Sequence, residues 1–531
     1  MKNPCAQMKS FADSRLSVQF DGIDLAERGC ATLAEAARRA GADAVQIERC
    51  DFYLDGNARK RALERLAREI RFFEEEGFQV ALWTSSLGYG RMTDPDFLRR
   101  FPDYRPLMAP DGSTAAVCST YKPWREAVAE NVRDFIRAGA KTIIFDDDLV
   151  QACRPGVVCV CEEHLRRVAA QLGVASVTPQ QVRDAYAGPP NHLRTACLDA
   201  MGESLMDFCR AMRAAADEVD SSAMLATCCS VSLFDLDGVD VPDMVRLLAG
   251  NAPGRPFVRM SGAPYWVCDK GNARNWGQGL GGVVEFLRWQ AALLRAEGIV
   301  PMDENDPFPR DSSIVPAELV EAYDRAMVAE GGVIRNKYIL RRNLHTGKGI
   351  DPAYLEAHLA GRAETGRTAA APGGSGPFRF EIFSPPHIVR DAVLPTPCAD
   401  RREMLRLCSQ PLAGILLAAN GAVTCYDRDS GAPLAAFGPA AATLPAEWVR
   451  RGVVLDRDGE RILRERGIDT GAEAPGNARR IDAWTLRRGA GGGKFAVCDK
   501  GWAEIDCGEA THDVVPIRDI WRFFTGEEFP A

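Results

Sequence analysis

Eight times in its first 340 residues the chain sets a short β-favouring apolar run beside an amphipathic helical run. The β runs are SVQF (17–20), AVQIER (44–49), FQVALWT (78–84), TIIFDDD (142–148), AMLATCC (223–229), PFVRMSG (256–262), GIVPMDEN (298–305) and GVIRNKYIL (332–340). The intervening stretches, such as ARKRALERLAREIRFFEEEG and YKPWREAVAENVRDFIRAGA, carry apolar residues at helical spacing, and several end in glycine just before the next β run. Runs of this kind specify strands buried on both faces of a parallel sheet, with helices as crossovers. Eight strand–helix units predict a (β/α)8 TIM barrel within an α/β fold class. The competing arrangement is an open doubly wound sheet. It is disfavoured because no Gly-rich phosphate turn follows the first run, and no organic cofactor is expected.

The 531 residues exceed one average domain. A barrel domain is expected over 1–360, and a linker over 361–377, GRAETGRTAAAPGGSGP. A small α/β domain is expected over 378–477 and a small β-rich domain over 478–531, with a second Gly-rich break, RRGAGGGK, at 487–494. Net charge is −8 and no Lys/Arg block stands out, so nucleic acid is not an expected partner. No apolar run reaches membrane-spanning length, and the opening MKNPCAQMKSFADSRLS lacks the apolar core of a secretory signal. A cytoplasmic protein away from membranes is the expectation. The 17 cysteines then read as buried thiols or metal ligands, not disulfides.

Barrel sites form at the C-terminal ends of the strands. The second run ends in Glu48, Arg49 and Asp51, the third in Trp83, and the fourth in Asp146, Asp147 and Asp148. The sixth leads into Tyr265 and Trp266 with Asn275 beyond, the seventh into Asp303, Glu304 and Asp306, and the eighth carries Asn336, Lys337 and Tyr338. Carboxylates gathered with aromatic rings suit a sugar, whose CH face stacks and whose hydroxyls hydrogen-bond. Two carboxylates facing each other across the mouth suit a general acid and a nucleophile flanking a glycosidic bond. Asp at a strand end more often caps a helix or binds loop amides. By alternation Asp146 and Asp148 share one direction and Asp147 the other. Glu304 is expected as nucleophile and Asp148, then Asp147, as acid/base. Arg49, Asp51, Trp83, Tyr265, Trp266 and Asn275 are expected sugar contacts, although Trp83, Trp266 and Trp276 could equally pack in the core.

After the aspartates comes CRPGVVCVCEEHL, in which Cys159, Cys161 and His164 are spaced C-x-C-x2-H. Cys118 lies in the loop leading to the helix before the fourth strand, which a barrel places beside the loop after that strand. Three thiolates and an imidazole make a closed set suited to structural zinc. Cys153 is an alternative ligand, and buried thiols with His164 opening a helix is the plainer reading.

The segment PDYRPLMAPDGSTAAVCSTYKPWREAVAENV resembles the stretch that precedes the acid-bearing strand in family 42 glycoside hydrolases, which are β-galactosidase-like. There Cys118 matches a family cysteine, and Cys159, Cys161 and His164 match a C-x-C-x2-C zinc group with His in the last place. DENDPFPR stands where the family keeps its nucleophile Glu, and GVVLDRDGERILRERGI is similar to the end of its amidotransferase-like trimerisation domain. The resemblance implies a retaining glycosidase, a carbohydrate or glycoside substrate, structural zinc and a homotrimer. The family's Asn-Glu acid/base pair is replaced by the aspartate triplet, and its arginine before the fourth strand is not evident. Two other classes stay open. The aspartates with Glu304 and Asp306 are hard oxygen ligands that suit Mg²⁺ or Mn²⁺ in a lyase, aldolase or isomerase acting on a sugar derivative. A carbohydrate-binding barrel without catalysis is the other.

Overall fold

The computed structural model describes residues 10–49, 56–88, 95–151, 158–228, 235–268, 279–343, 347, 349–365, 377–385, 387, 389–391, 393–394, 409–426, 430–472, 478–505 and 513–526. All eight β runs form strands: Leu16–Phe20, Ala44–Glu48, Gln79–Thr84, Thr142–Phe145, Met224–Cys228, Phe257–Arg259, Val300–Met302 and Arg335–Lys337. Each pairs in parallel with the next from first to seventh, and the eighth pairs with the first. Parallel bridges Met302↔Ile334 and Asn305↔Lys337 join seventh to eighth and close the barrel.

Alternation sorts the side chains. Ala44, Ala81, Ile144, Ala226, Phe257 and Met302 pack in one cluster inside the barrel. Val18, Phe20, Val45, Ile47, Leu82, Ile143, Phe145 and Val258 belong to the cluster that includes the surrounding helices. Burying each of the large members is worth roughly 1.5–3 kcal/mol. Polar residues on the inward face satisfy one another, as Gln46 Nε2 donates to Asn336 Oδ1 at 2.8 Å and Ser17 Oγ at 3.1 Å. Glycine stop signals hold where expected: helix Cys30–Ala40 ends at Gly41 with φ +74°, and helix Glu162–Leu172 at Gly173 with φ +66°. Between the third and fourth strands an antiparallel hairpin, Pro106–Met108 with Thr114–Val117, was not evident in the sequence. Among the described residues no helix is long and apolar enough to cross a membrane.

Helix Pro352–Thr365 runs past the boundary expected at residue 361, and 366–376 lie outside the described residues. Beyond them stands one seven-stranded mixed sheet. Arg379–Ile382, Val423–Cys425, Leu434–Ala435, Val453–Leu455 and Lys494–Cys498 run parallel; Trp484–Arg488 and Arg479–Ile481 complete it antiparallel. The division expected at residue 478 therefore does not separate two sheets. Its Gly-rich break is a hairpin turn, closed by Gly489 N donating to Gly493 O at 3.0 Å. Glu285 on helix Gly279–Ala296 fastens this domain to the barrel, accepting from Tyr426 Oη at 2.8 Å and Thr424 Oγ1 at 3.1 Å.

Candidate active site at the barrel mouth

Arg259, the last residue of the sixth strand, is 3% exposed and organises the mouth. Its Nη2 stands 3.2 Å from Asp146 Oδ1 and 4.0 Å from Asp147 Oδ1. Its Nη1 stands 3.3 Å from Glu304 Oε1 and donates to Tyr338 Oη at 2.6 Å. One guanidinium thus bridges carboxylates from the fourth and seventh strands. Burial pushes the Glu304 carboxyl up to about 8; Asp147, Asp306 and Asp146 add to the rise and Arg259 opposes it.

Two more buried arginines complete the ring. Arg341 donates to Gln19 Oε1 at 3.1 Å and pairs with Glu48. Arg310 pairs with Asp306 at 2.7 Å. Their charges lie over aromatic faces: Arg259 and Arg341 are 5.9 and 5.8 Å from the Trp83 ring, and Arg341 and Arg310 5.8 and 5.5 Å from that of Tyr338. Around them Trp83 Nε1, Arg259 Nε, Arg341 Nε, Arg310 Nε and Nη1, and Asp306 Oδ1 are buried without a hydrogen-bond partner. Buried polar atoms are seldom left so, and this concentration is what a polar ligand would satisfy.

The expected residues separate. Glu304 and Asp147 meet at Arg259, with Asp147 the more open, its side chain 26% exposed. Asp148 turns to the loop after the third strand, accepting from Ser86 N at 2.8 Å, Ser86 Oγ at 2.7 Å and Gly88 N at 2.7 Å. Burial, then Asp146, pushes its carboxyl up to about 8. That is the bonding of a loop-holding carboxylate. Trp83 and Tyr265 belong to the mouth: burial and then the Glu304 and Asp147 charges push the Tyr265 phenol well up, and its ring meets Phe308 at 5.7 Å. Trp266 is buried and stacks on core Phe286 at 6.2 Å. Arg49 points to the helix layer, paired with Glu69 of helix Gly56–Glu75. Asp51, Asn275, Trp276 and Cys153 lie outside the described residues. Arg259, Arg310 and Arg341 were missed. The available signal was an arginine inside the apolar run PFVRM, where a barrel strand demands a counter-charge.

Cys118, Cys159, Cys161 and His164 are all buried, with ligand atoms within 4.8 Å of one another. Cys118 Sγ is 3.7 Å from Cys161 Sγ and from His164 Nδ1, and Cys161 Sγ is 3.2 Å from that nitrogen. Tetrahedral zinc with bonds of about 2.3 Å to sulfur and 2.0 Å to nitrogen separates such atoms by roughly 3.5–3.8 Å. The donor set fits zinc, and His164 Nε2 lies 2.8 Å from Ser204 Oγ, an orienting contact of the kind metal-bound imidazoles keep. A second cluster, Glu321, Asp324 and His358, already encloses a cation: Lys337 Nζ is 2.6, 3.2 and 2.9 Å from the three.

No family model and no curated protein matches the sequence. Solved structures do match in fold. A β-galactosidase from Rahnella sp. R3 superposes with TM-score 0.59 at 11% identity, covering 96% of this chain and 88% of its own. A β-galactosidase from Bacillus circulans sp. alkalophilus gives 0.56 at 10%, covering 92% and 86%. α-L-Fucosidase isoenzyme 2 from Paenibacillus thiaminolyticus gives 0.52 at 11%, covering 89% and 67%. The shared property is the fold.

Proposed function

We propose that the protein is a glycoside hydrolase acting on a small glycoside or oligosaccharide. The observation that carries this is the pairing of Asp147 and Glu304, from opposite barrel strands, on the guanidinium of Arg259 in an aromatic-lined mouth. The fold shared with glycosidases supports the class, and the β-galactosidases among them favour a β-galactoside-like substrate. Glu304 attacks the anomeric carbon while Asp147 gives its proton to the departing oxygen, leaving a glycosyl ester on Glu304. Asp147 then takes a proton from water, which cleaves that ester with net retention. Asp147 takes precedence over Asp148, whose oxygens are committed to Ser86 and Gly88.

A second assignment of roles exchanges the pair. The raised Glu304 carboxyl favours it, since a group holding its proton to about pH 8 suits a donor. Azide separates the two. Glu304→Ala and Asp147→Ala are each assayed on aryl glycosides with azide. An azide product of inverted configuration from Glu304→Ala and a retained one from Asp147→Ala is the expected result; the opposite pattern reverses the roles. Near wild-type turnover by both variants sinks the two-carboxylate mechanism.

The divalent-metal reading is weakened because Arg259 stands among Asp146, Asp147 and Glu304, where the ion would have to sit. Zinc is proposed for the Cys118, Cys159, Cys161 and His164 set as a structural ion. A trimer is proposed from the family resemblance; sedimentation of a monomer at assay concentration would count against it.

A further inference from the structure

Arg310 leaves more of its donors open than buried Arg213 does. Arg213 Nη1 donates to the carbonyls of Ala223 and Leu248 at 2.8 and 3.1 Å and Nε to Asp217 at 2.9 Å, and Nη2 keeps an ion pair with the same carboxylate at 2.8 Å. Arg310, at 3% exposure, has only the Asp306 carboxylate on Nη2, while Nε and Nη1 find no acceptor. Its backbone φ is +69°, a left-handed value that a long side chain seldom adopts without being held there. Phe308 and Tyr338 lie 5.8 and 5.5 Å from its charge, so rings cover it and leave its in-plane hydrogens as the donors on offer. The same Tyr338 receives Arg259, which holds Glu304. Arg341, whose Nε has no acceptor, lies 5.8 Å from the same ring. The mouth therefore holds the carboxylates of Asp147 and Glu304 and, at Arg310 and Arg341, paired guanidiniums that still have open donors: Nε and Nη1 of Arg310 and Nε of Arg341.

We infer that the sugar this site takes carries an anionic group, a carboxylate or a phosphate, and that Arg310 is its anchor. Planar guanidinium donors meet the oxygens of such a group in their own plane, two bonds at a time and with opposite charge on the acceptor, neither of which a hydroxyl offers. Asp306 balances the charge of Arg310, but Nε and Nη1 keep donors that the planar oxygens of an anion meet together and the single oxygen of a hydroxyl cannot. The inference specifies the substrate class of the proposed hydrolase and rests on that reading for turnover, but not for binding.

Titration calorimetry on the full-length protein tests it, with galacturonate, glucuronate and galactose 6-phosphate against galactose and glucose. The acidic sugars are expected to bind at least tenfold more tightly than their neutral parents. In Arg310→Lys, whose ammonium still faces Asp306, that advantage falls on the order of ten- to a hundredfold. Whichever of uronate and phosphate binds better names the anion. Equal or tighter binding of the neutral parents by the wild type overturns the inference without any variant, as does an absence of binding by every acidic sugar. An advantage that persists in both Arg310→Lys and Arg310→Gln overturns the assignment to Arg310. Matching aryl glycosides keep the two claims apart. Acidic sugars bound but never cleaved sink the hydrolase and keep the inference, whereas cleavage of neutral glycosides without preference does the reverse.

Discussion

Asp303 stands at the end of the seventh strand, fully out of solvent, with Oδ1 accepting the Asn336 amide at 2.6 Å and Oδ2 without a hydrogen-bond partner. Burial, with Asp324 adding, pushes its carboxyl from an ordinary 3.8 up to about 8 against the pull of Asn336, Arg335 and Lys337. The folded state then holds a proton that the unfolded chain releases. The group costs no stability below its unfolded value, and costs progressively more as pH climbs to about 8. Asp303→Asn keeps the acceptor for Asn336 and removes the charge. It is expected to gain more than about 1 kcal/mol over wild type at pH 8 and little at pH 4. Urea unfolding at the two pH values measures this, and an identical difference at both would refute the burial account. Strand-end position brought Glu304 and the aspartate triplet to one mouth and ranked Asp148 ahead of Asp147. Position alone could not settle that order, because the choice depends on which carboxylate the Ser86 and Gly88 amides capture.

At the scale of elements, the Cys/His set ties three segments that share no regular pairing. Cys118 follows the hairpin strand Thr114–Val117, Val160 N donates to Met108 O at 2.7 Å, and His164 sits in helix Glu162–Leu172. Purified protein is expected to hold one equivalent of zinc by elemental analysis. Cys161→Ser should lose it and lower Tm by roughly 5–10 °C, the scale of a few kcal/mol in a domain this large. Stoichiometric zinc in Cys161→Ser, or none in wild type, would remove the ion from this account. The spacing C-x-C-x2-H announced these ligands in the sequence, yet the hairpin that brings Cys118 to them went unread. Its strands are three and four residues long, too short for a period to show.

Across the whole molecule, the C-terminal sheet is continuous across residue 478. Truncation after residue 477 removes Lys494–Cys498, the neighbour of Val453–Leu455, together with both antiparallel strands. A 1–477 fragment is therefore expected to expose the Val453–Leu455 edge and to aggregate, whereas the full chain does not. Light scattering of the two at equal concentration decides, and a monodisperse, fully folded fragment would restore the division at 478. Tyr426→Phe strips one donor from buried Glu285 at the joint between barrel and sheet, at a cost of about 1–2 kcal/mol. Separation of one thermal transition into two is the expected calorimetric sign, and an unchanged melt would show that Glu285 does not fasten the domains.

The sequence by itself determined the barrel, because strand burial on both faces and helix amphipathicity are written in local periodicity, which eight successive units repeat without exception. It also determined the carboxylates at the strand ends and the zinc-type spacing, both local in the chain. Only the tertiary structure decided that the Gly-rich run at 487–494 is a turn within one sheet, since strand pairing joins residues far apart in sequence. Only it placed Arg49 among the helices and Arg259, Arg310 and Arg341 at the mouth. The reason is physical: a buried charge has its meaning from the partners that surround it, and those come from strands, loops and helices that the chain brings together only on folding.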